Sequence, residues 1–544
     1  MRLLTTITTF AWGIALTGAQ ITGNVVTLDY GTFTGLPSND SSITYFRGIR
    51  YAEPPTGDLR FRAPVSPPQM NLGQVNATEY PPSCLQASSN TTEGASEDCL
   101  FLNVNVPANN NADSKLPVLV WIHGGGFQTG NADQPPDYLL HSSPEPLIFV
   151  TLQYRLGLFG YLAGQSVADS GDLNAGLLDQ RAALKWVKRY ISALGGDPNQ
   201  VTIFGESAGG AGIYYQLIAK DGDNEDLYNR AIADSPSLGP LFECTSDYEE
   251  NLLKEVATEA GCDTSTDILS CLRAADVGTL AAASPRVLAL HPATEYAFGP
   301  CLDGKFLTNH IVDAFEEGKV ADVPLLVGSN THEGAGWSAG LPAPWANTSM
   351  PNATEETVYE FLRGQYPGLT KTSFAKALGW YPLSDYNGSF GTQGEQMYGE
   401  ARYICPAVLA GEFGREVYQY RYDNPIVGST HAAELVAFHG SGSVADPSDP
   451  SLSSFPLWEA MRQYWTSFAT KGKPEAEGVA AWVRMPNGEC RGEEADDNRQ
   501  SNKHRFARDT RLLLNTEIIK TEKISWGLRK RCEFWRNIRQ ELST

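Results

Sequence analysis

Phe204-Gly205-Glu206-Ser207-Ala208-Gly209-Gly210 is the stretch on which the reading of this chain turns. It contains a G-x-S-x-G elbow, in which a serine stands on a strained turn between a buried strand and a helix. The flanks fit that context. Val201-Thr202-Ile203-Phe204 is a short β-branched run suited to a buried strand, and the small residues after Ser207 let a helix approach it closely. Gly205 and Gly209 remove Cβ atoms where strand and helix meet, so the turn is tolerated and the hydroxyl faces a cleft. The chain has 52 glycines, so the motif taken alone is a weak signal.

A second motif stands upstream. Val118-Leu119-Val120-Trp121-Ile122 is another buried-strand run, and it ends in His123-Gly124-Gly125-Gly126-Phe127. Consecutive glycines after a strand expose bare backbone N–H groups, which is what an anionic tetrahedral intermediate requires. A simple turn needs no such run at the mouth of a core strand. The two motifs together predict a serine hydrolase.

Around them the chain alternates. From Val25 to about Val150 short apolar runs are separated by Pro, Gly and Asn clusters, a β-rich pattern. Strands are then expected at 148–153, 201–205 and 231–233, with helical stretches such as Asp179 to Leu194 between them. That alternation predicts an α/β fold with a mainly parallel central sheet. Residues 245–320 and 354–415 read as amphipathic helical insertions, and 323–328 and 417–422 as two further strands. No repeat and no Pro/Gly/Ser-rich linker divides the chain, so residues 20–544 are expected to form one domain, with 488–504 as a polar surface loop.

The bulk composition points to export. Arg2 followed by the apolar run Leu3 to Leu16 and the small residues Thr17-Gly18-Ala19 reads as a signal peptide over 1–19. Threonines interrupt that run too early for a membrane anchor, and the polar C-terminus carries no lipid-anchor signal. Sequons at Asn39, Asn76, Asn90, Asn347, Asn352 and Asn387 agree with a glycosylating, secreted route. The nine cysteines then read as a disulfide framework with at least one left over. A formal charge of −22 argues against nucleic acid and anionic lipid as partners. No His/Cys cluster has metal-ligand spacing, so no metal or cofactor is expected, and the sequence leaves the oligomeric state open.

A nucleophilic serine needs a base, and the base needs an acid that fixes its tautomer. In an α/β-hydrolase they follow in the order Ser, Asp/Glu, His, each on a loop after a strand. Strand 323–328 is followed by Ser329-Asn330-Thr331-His332-Glu333-Gly334, which puts Glu333 in the acid loop. Strand 417–422 is followed by a loop ending at Gly428-Ser429-Thr430-His431, which puts His431 in the base loop. Of the eight histidines, His123 belongs to the glycine run, His332 adjoins the acid, and His141, His291, His310 and His504 lie in no loop of the right order. His439 is the rival. It stands at the far end of what reads as a helix, where a histidine is more often structural.

With these residues in view, the chain resembles the type-B carboxylesterase/lipase family, which includes cholinesterases, yeast lipases and fungal secreted esterases. The likeness spans nearly the whole mature chain. It is carried by Phe46-Arg47-Gly48-Ile49-Arg50-Tyr51-Ala52-Glu53-Pro54-Pro55, by Glu97-Asp98-Cys99-Leu100-Phe101-Leu102-Asn103-Val104, and by Asn174-Ala175-Gly176-Leu177-Leu178-Asp179-Gln180. His431-Ala432-Ala433-Glu434-Leu435 is similar to the family's H-x-x-E-L and favours His431 over His439. Asn105 departs from the pattern, standing where a bulky apolar residue is usual. The resemblance implies an α/β-hydrolase fold, a triad of Ser207, Glu333 and His431, and an oxyanion hole from the N–H groups of Gly125, Gly126 and Ala208. It also implies disulfides Cys84–Cys99, Cys262–Cys271 and Cys405–Cys532, the last worth ~4 kcal/mol in the chain-entropy model. Cys244, Cys301 and Cys490 stay unassigned.

The loop between Cys84 and Cys99 separates members of the family, because in its lipases that loop becomes a long apolar lid. Here it has one large apolar residue, Leu85, and a sequon at Asn90, a poor surface for lipid. It also lacks the tryptophan with which cholinesterases hold a quaternary ammonium. A secreted carboxylesterase acting on small-molecule esters of short or medium acyl or aromatic type is therefore expected. The alternatives are a lipase, or a non-catalytic cholinesterase-like adhesion protein, which would lack a triad member. Trp337, Phe242 and Tyr296 are candidate walls of the substrate pocket, each set against ordinary core packing.

Overall fold

The structure, a computed structural model, describes residues 21–108, 110–294, 296–440, 454–484 and 509–544. The expected leader at 1–19, the stretch 488–504, Cys490 and His504 lie outside the described residues. A single large sheet runs through the molecule. Its middle is parallel: Ile148–Leu152, Leu116–Ile122, Gly196–Glu206, Arg230–Asp234, Leu325–Asn330, Val417–Tyr422 and Thr510–Leu514 stand side by side in that order. The flanks are antiparallel, except that Gln74–Ala77 pairs parallel with Gly31–Pro37. Strands between Ile21 and Pro107 extend one edge and Ile519–Lys523 closes the other. The expected mainly parallel central sheet is thus present, and antiparallel strands are added at its flanks. The hairpin-linked N-terminal strands need no crossover helix and pair antiparallel.

Alternation of side chains assigns the two faces of the central strands. Val118, Val120 and Ile122 enter the core on one side with Val201 and Ile203, while Leu119, Trp121 and Phe204 enter the other with Trp465 and Phe438. A third apolar cluster is built by the helical insertions and the C-terminal helix Trp526–Asn537, around Tyr366, Tyr398, Tyr403 and Trp535. One helix begins earlier than expected, spanning Ala175–Tyr190 rather than starting at Asp179. Asn174 takes a left-handed conformation (φ 55°), and its side-chain amide donates to Cys301 O at 2.9 Å, which fixes the entry point. Those contacts are long-range and leave no local signal.

Disulfides pair Cys84 with Cys99, Cys262 with Cys271, and Cys405 with Cys532. Cys244, left open by the sequence, is bonded to Cys301. Asn39, Asn76, Asn90, Asn352 and Asn387 are exposed, and Asn347 is half-buried. No helix among the described residues is long and apolar enough to cross a membrane.

Candidate active site

The carboxyl ends of the parallel strands all open on one edge of the sheet, where ligands of such folds bind. Gly196–Glu206 delivers Ser207 there, in a sharp turn with φ 58° and ψ −119°. Few residues other than glycine adopt that conformation, and its cost is met by fixed backbone bonds. Ser207 N donates to Asp234 O at 3.0 Å, and Ser207 O accepts from Ala211 N and Ser237 N at 2.8 and 3.2 Å. The following helix, Ala208–Gly222, sits directly on the sheet: a Cβ on Gly209 would fall 2.0 Å from Ile122 O.

The loop after Leu116–Ile122 folds back on this turn. Gly125 and Gly126 have φ of 104° and 63°, values that disfavour a side chain. Gly125 O accepts from Gln128 N and Thr129 N, closing a tight turn. A Cβ on Gly124 would stand 3.0 Å from Ser207 Cβ, so the loop packs against the serine. Ala208 opens its helix, where the first N–H groups have no partner within the helix. His123 serves as scaffold: its ring stacks on Tyr154 at 4.4 Å, and burial lowers its pKa to about 4, leaving it neutral.

Strand Leu325–Asn330 carries the acid loop and Val417–Tyr422 the base loop, and the two loops are stitched together. His332 N donates to Ser429 O at 2.9 Å, and the Asn330 amide donates to Thr430 O at 2.7 Å. This brings His431 between the other two side chains. Its Nδ1 lies 2.6 Å from Glu333 Oε2 and its Nε2 lies 2.8 Å from Ser207 Oγ. A ring that donates from Nδ1 to a carboxylate presents Nε2 as an acceptor to the serine hydroxyl. Glu333 is held in turn by Ser235 Oγ and Asn330 N, each donating to Oε1 at 2.6 Å.

His439 lies elsewhere. Its ring is in the core on the opposite face of the sheet, 4.9 Å from Trp121, and burial lowers its pKa to about 4. Trp337 and Tyr403 flank His431, with ring centroids at 5.4 and 4.2 Å. Tyr296 covers the glycine loop so closely that a Cβ on Gly126 would overlap its ring at 1.9 Å. Phe242 has its ring on Tyr248, at 4.7 Å.

Two acids escaped the sequence reading. Glu206 fills the x position of the elbow, with Oε1 3.3 Å from His431 Nε2. Glu434 lies in the H-x-x-E-L stretch and accepts from the Asn330 amide. Burial raises Glu206 to about 8 despite the attraction of His431, and burial with repulsion from Glu333 raises Glu434 to about 7. Burial disfavours the charged imidazole, yet the carboxylates of Glu206 and Glu333 outweigh it and raise His431 to about 9. A carboxylate next to a predicted nucleophile is legible in the sequence. Its burial against the base is not.

Comparison with known proteins agrees with this architecture. The model of the carboxylesterase family matches residues 22–511. Lipase 4 of Diutina rugosa is 37% identical over 391 residues, covering 66% of this chain and 69% of its own. Liver carboxylesterase 1 of Oryctolagus cuniculus is 31% identical over 497 residues, covering 83% and 85%. Among solved structures, Aspergillus niger EstA superposes with a TM-score of 0.81 at 29% identity, covering 96% of this chain and 99% of that one.

Proposed function

The chain belongs to the carboxylesterase family, a family of serine ester hydrolases with the α/β-hydrolase fold, and from that premise we propose a secreted carboxylesterase acting on soluble esters through Ser207, His431 and Glu333. The observation that carries the reading is the unbroken hydrogen-bonded line from Ser207 Oγ through His431 to Glu333. His431 Nε2 takes the hydroxyl proton as Ser207 attacks the ester carbonyl, and Glu333 stabilises the imidazolium. The oxyanion rests on the N–H groups of Gly125, Gly126 and Ala208. The alcohol leaves with the proton from His431, and water then repeats the sequence on the acyl-enzyme.

Secretion is supported by the leader at 1–19, the sequons and four disulfides, which persist in an oxidising compartment. The similarity to Lipase 4 favours a second reading, in which lipid esters are the substrate. The Cys84–Cys99 loop opposes it. Leu85 and Ala87 are buried, Asn90 to Gly94 are exposed and polar, and Ala87 N donates to Gln128 O at 2.7 Å, tying the loop down. A lid must swing away and present apolar area to lipid, and this loop has neither freedom nor area. The test is a panel of p-nitrophenyl esters from C2 to C16 with aromatic and choline esters, run beside labelling of Ser207 by an organophosphonate. Short or medium acyl or aromatic esters should lead. Best turnover at C16, or no label on Ser207, overturns the reading.

A further inference from the structure

Five arginines are buried among the described residues: Arg60, Arg155, Arg181, Arg402 and Arg462. Four of them meet a carboxylate, Arg60 with Glu97 at 2.5 Å, Arg155 with Asp179 at 2.6 Å, Arg181 with Glu225 at 2.8 Å and Arg462 with Glu459 at 2.8 Å. Arg402, 6% exposed, has no carboxylate within ion-pair distance among the described residues, and its Nε has no hydrogen-bond partner. Its surroundings are tyrosines instead. Its guanidinium lies 5.1 Å from the centre of the Tyr296 ring, and Tyr366, Tyr398 and Tyr403 are its other close electrostatic neighbours. The Tyr366 side chain hydrogen-bonds the guanidinium, but a neutral hydroxyl and aromatic faces attract a cation without neutralising it, and a buried charge with no counter-charge is costly to hold.

The placement of this arginine relates it to the reaction centre. It lies in a π-helical turn, Glu400–Ile404, a rare geometry that recurs at functional sites. The next residue, Tyr403, is the one whose ring sits on His431. Tyr296, the ring it faces, is the one that covers Gly126. On its other side the guanidinium lies flat on Gly239, where a Cβ would fall 2.4 Å from one terminal nitrogen and 3.0 Å from Cζ. Gly239 is two residues from Ser237, whose N–H bonds Ser207 O, and Arg402 O accepts from Leu238 N at 2.8 Å. The cation therefore packs on the segment whose Ser237 N–H holds the serine, in a space that only a glycine leaves open.

We propose that Arg402 is a specificity residue that receives an anionic group of the substrate, so that the preferred esters carry a carboxylate as well as the scissile bond. The proposal rests on the reading of Ser207 as the nucleophile of this site and names its substrate class. The substrate supplies the counter-charge that the fold withholds, and a guanidinium fork matches a carboxylate in shape. Without Arg402, the buried carboxylate of Glu333 would repel such a substrate.

The experiment compares esters in matched pairs: the p-nitrophenyl half-ester of glutaric acid against p-nitrophenyl valerate, and 4-carboxyphenyl butyrate against phenyl butyrate. The wild-type protein should show a higher kcat/KM for the anionic member of at least one pair. Arg402→Met should lower that anionic-to-neutral ratio at least tenfold, mainly through KM, and Arg402→Lys should recover part of it. A ratio below one in both pairs for the wild type overturns the proposal without any variant. An equal ratio in wild type and a folded Arg402→Met overturns it as well. Hydrolysis of the neutral esters without preference leaves the esterase reading standing, whereas hydrolysis of neither member sinks both.

Discussion

The carboxylate of Glu206 stands 3.3 Å from Nε2 of His431, the same nitrogen that faces Ser207 Oγ at 2.8 Å. The residue before the serine thus sets the electrostatics of the imidazole proposed to activate the serine. Both groups are buried, both bind a proton more firmly than usual, and the imidazole is held between Glu206 on one side and Glu333 on the other. An imidazolium formed as Ser207 loses its proton is stabilised from two directions.

Ser207→Ala should reduce kcat by a factor on the order of 10⁴–10⁶ while the protein stays folded, because the side chain supplies a nucleophile and little packing. Turnover of p-nitrophenyl acetate with far-UV circular dichroism as the folding control checks this. Near wild-type turnover in the folded variant would remove Ser207 from its role.

Mutation of the two candidate histidines should separate them cleanly. His431→Ala is expected to cost kcat as much as Ser207→Ala, since members of such a unit act together. His439→Ala should leave kcat within a few-fold and lower the melting temperature, because its ring is packed on Trp121 in the core. The opposite ranking would transfer the role of base.

For Glu333→Gln the expected loss in kcat is roughly 10²–10⁴-fold with KM little changed, since the amide can no longer stabilise the imidazolium or enforce its tautomer. Steady-state kinetics on one soluble ester is sufficient. A silent substitution would mean that Glu206 or Glu434 holds the imidazole instead.

Glu206→Gln should move the acidic limb of the kcat/KM profile to lower pH. His431 must be neutral to accept the serine proton, and its pKa of about 9 is raised in part by the Glu206 charge. Removing an anion beside the imidazole favours the neutral form, so the pKa falls and activity appears at lower pH. A limb that stays in place, or moves up, contradicts the electrostatic coupling.

Rate measured against tributyrin concentration should rise smoothly through the solubility limit. The polar loop between Cys84 and Cys99 is tied to the glycine loop by Gln86 as well as Ala87: the Gln86 amide donates to Gly130 O at 3.0 Å and accepts from Gly130 N at 2.7 Å. Opening it would break those bonds for no gain in buried apolar area. A sharp increase at saturation would identify another segment as a lid.

Much of the site was legible because its parts are local. The elbow, the glycine run and the order serine, acid, histidine each depend on a strand followed at once by a turn, and period-two apolar runs mark such strands. What escaped is non-local. Cys244 and Cys301 are 57 residues apart and carry no motif that pairs them. Arg402 reads as an ordinary helical arginine until Gly239 and Tyr296, both distant in sequence, close on it. Glu434 was within a quoted motif, yet its bond to Asn330 depends on how two loops meet.

The sequence by itself therefore determined the class of fold and the residue types of the chemistry. Strand periodicity and the geometry of a turn are properties of a few neighbouring residues, and each offers its own candidate nucleophile, acid or base. Only the tertiary structure decided the charges. Which carboxylates are buried, which imidazole sits between them and which guanidinium is left without a carboxylate depend on distances between strands and insertions far apart in the chain. Electrostatic energy depends on those distances and on exclusion of water, and neither is written in any single stretch of residues.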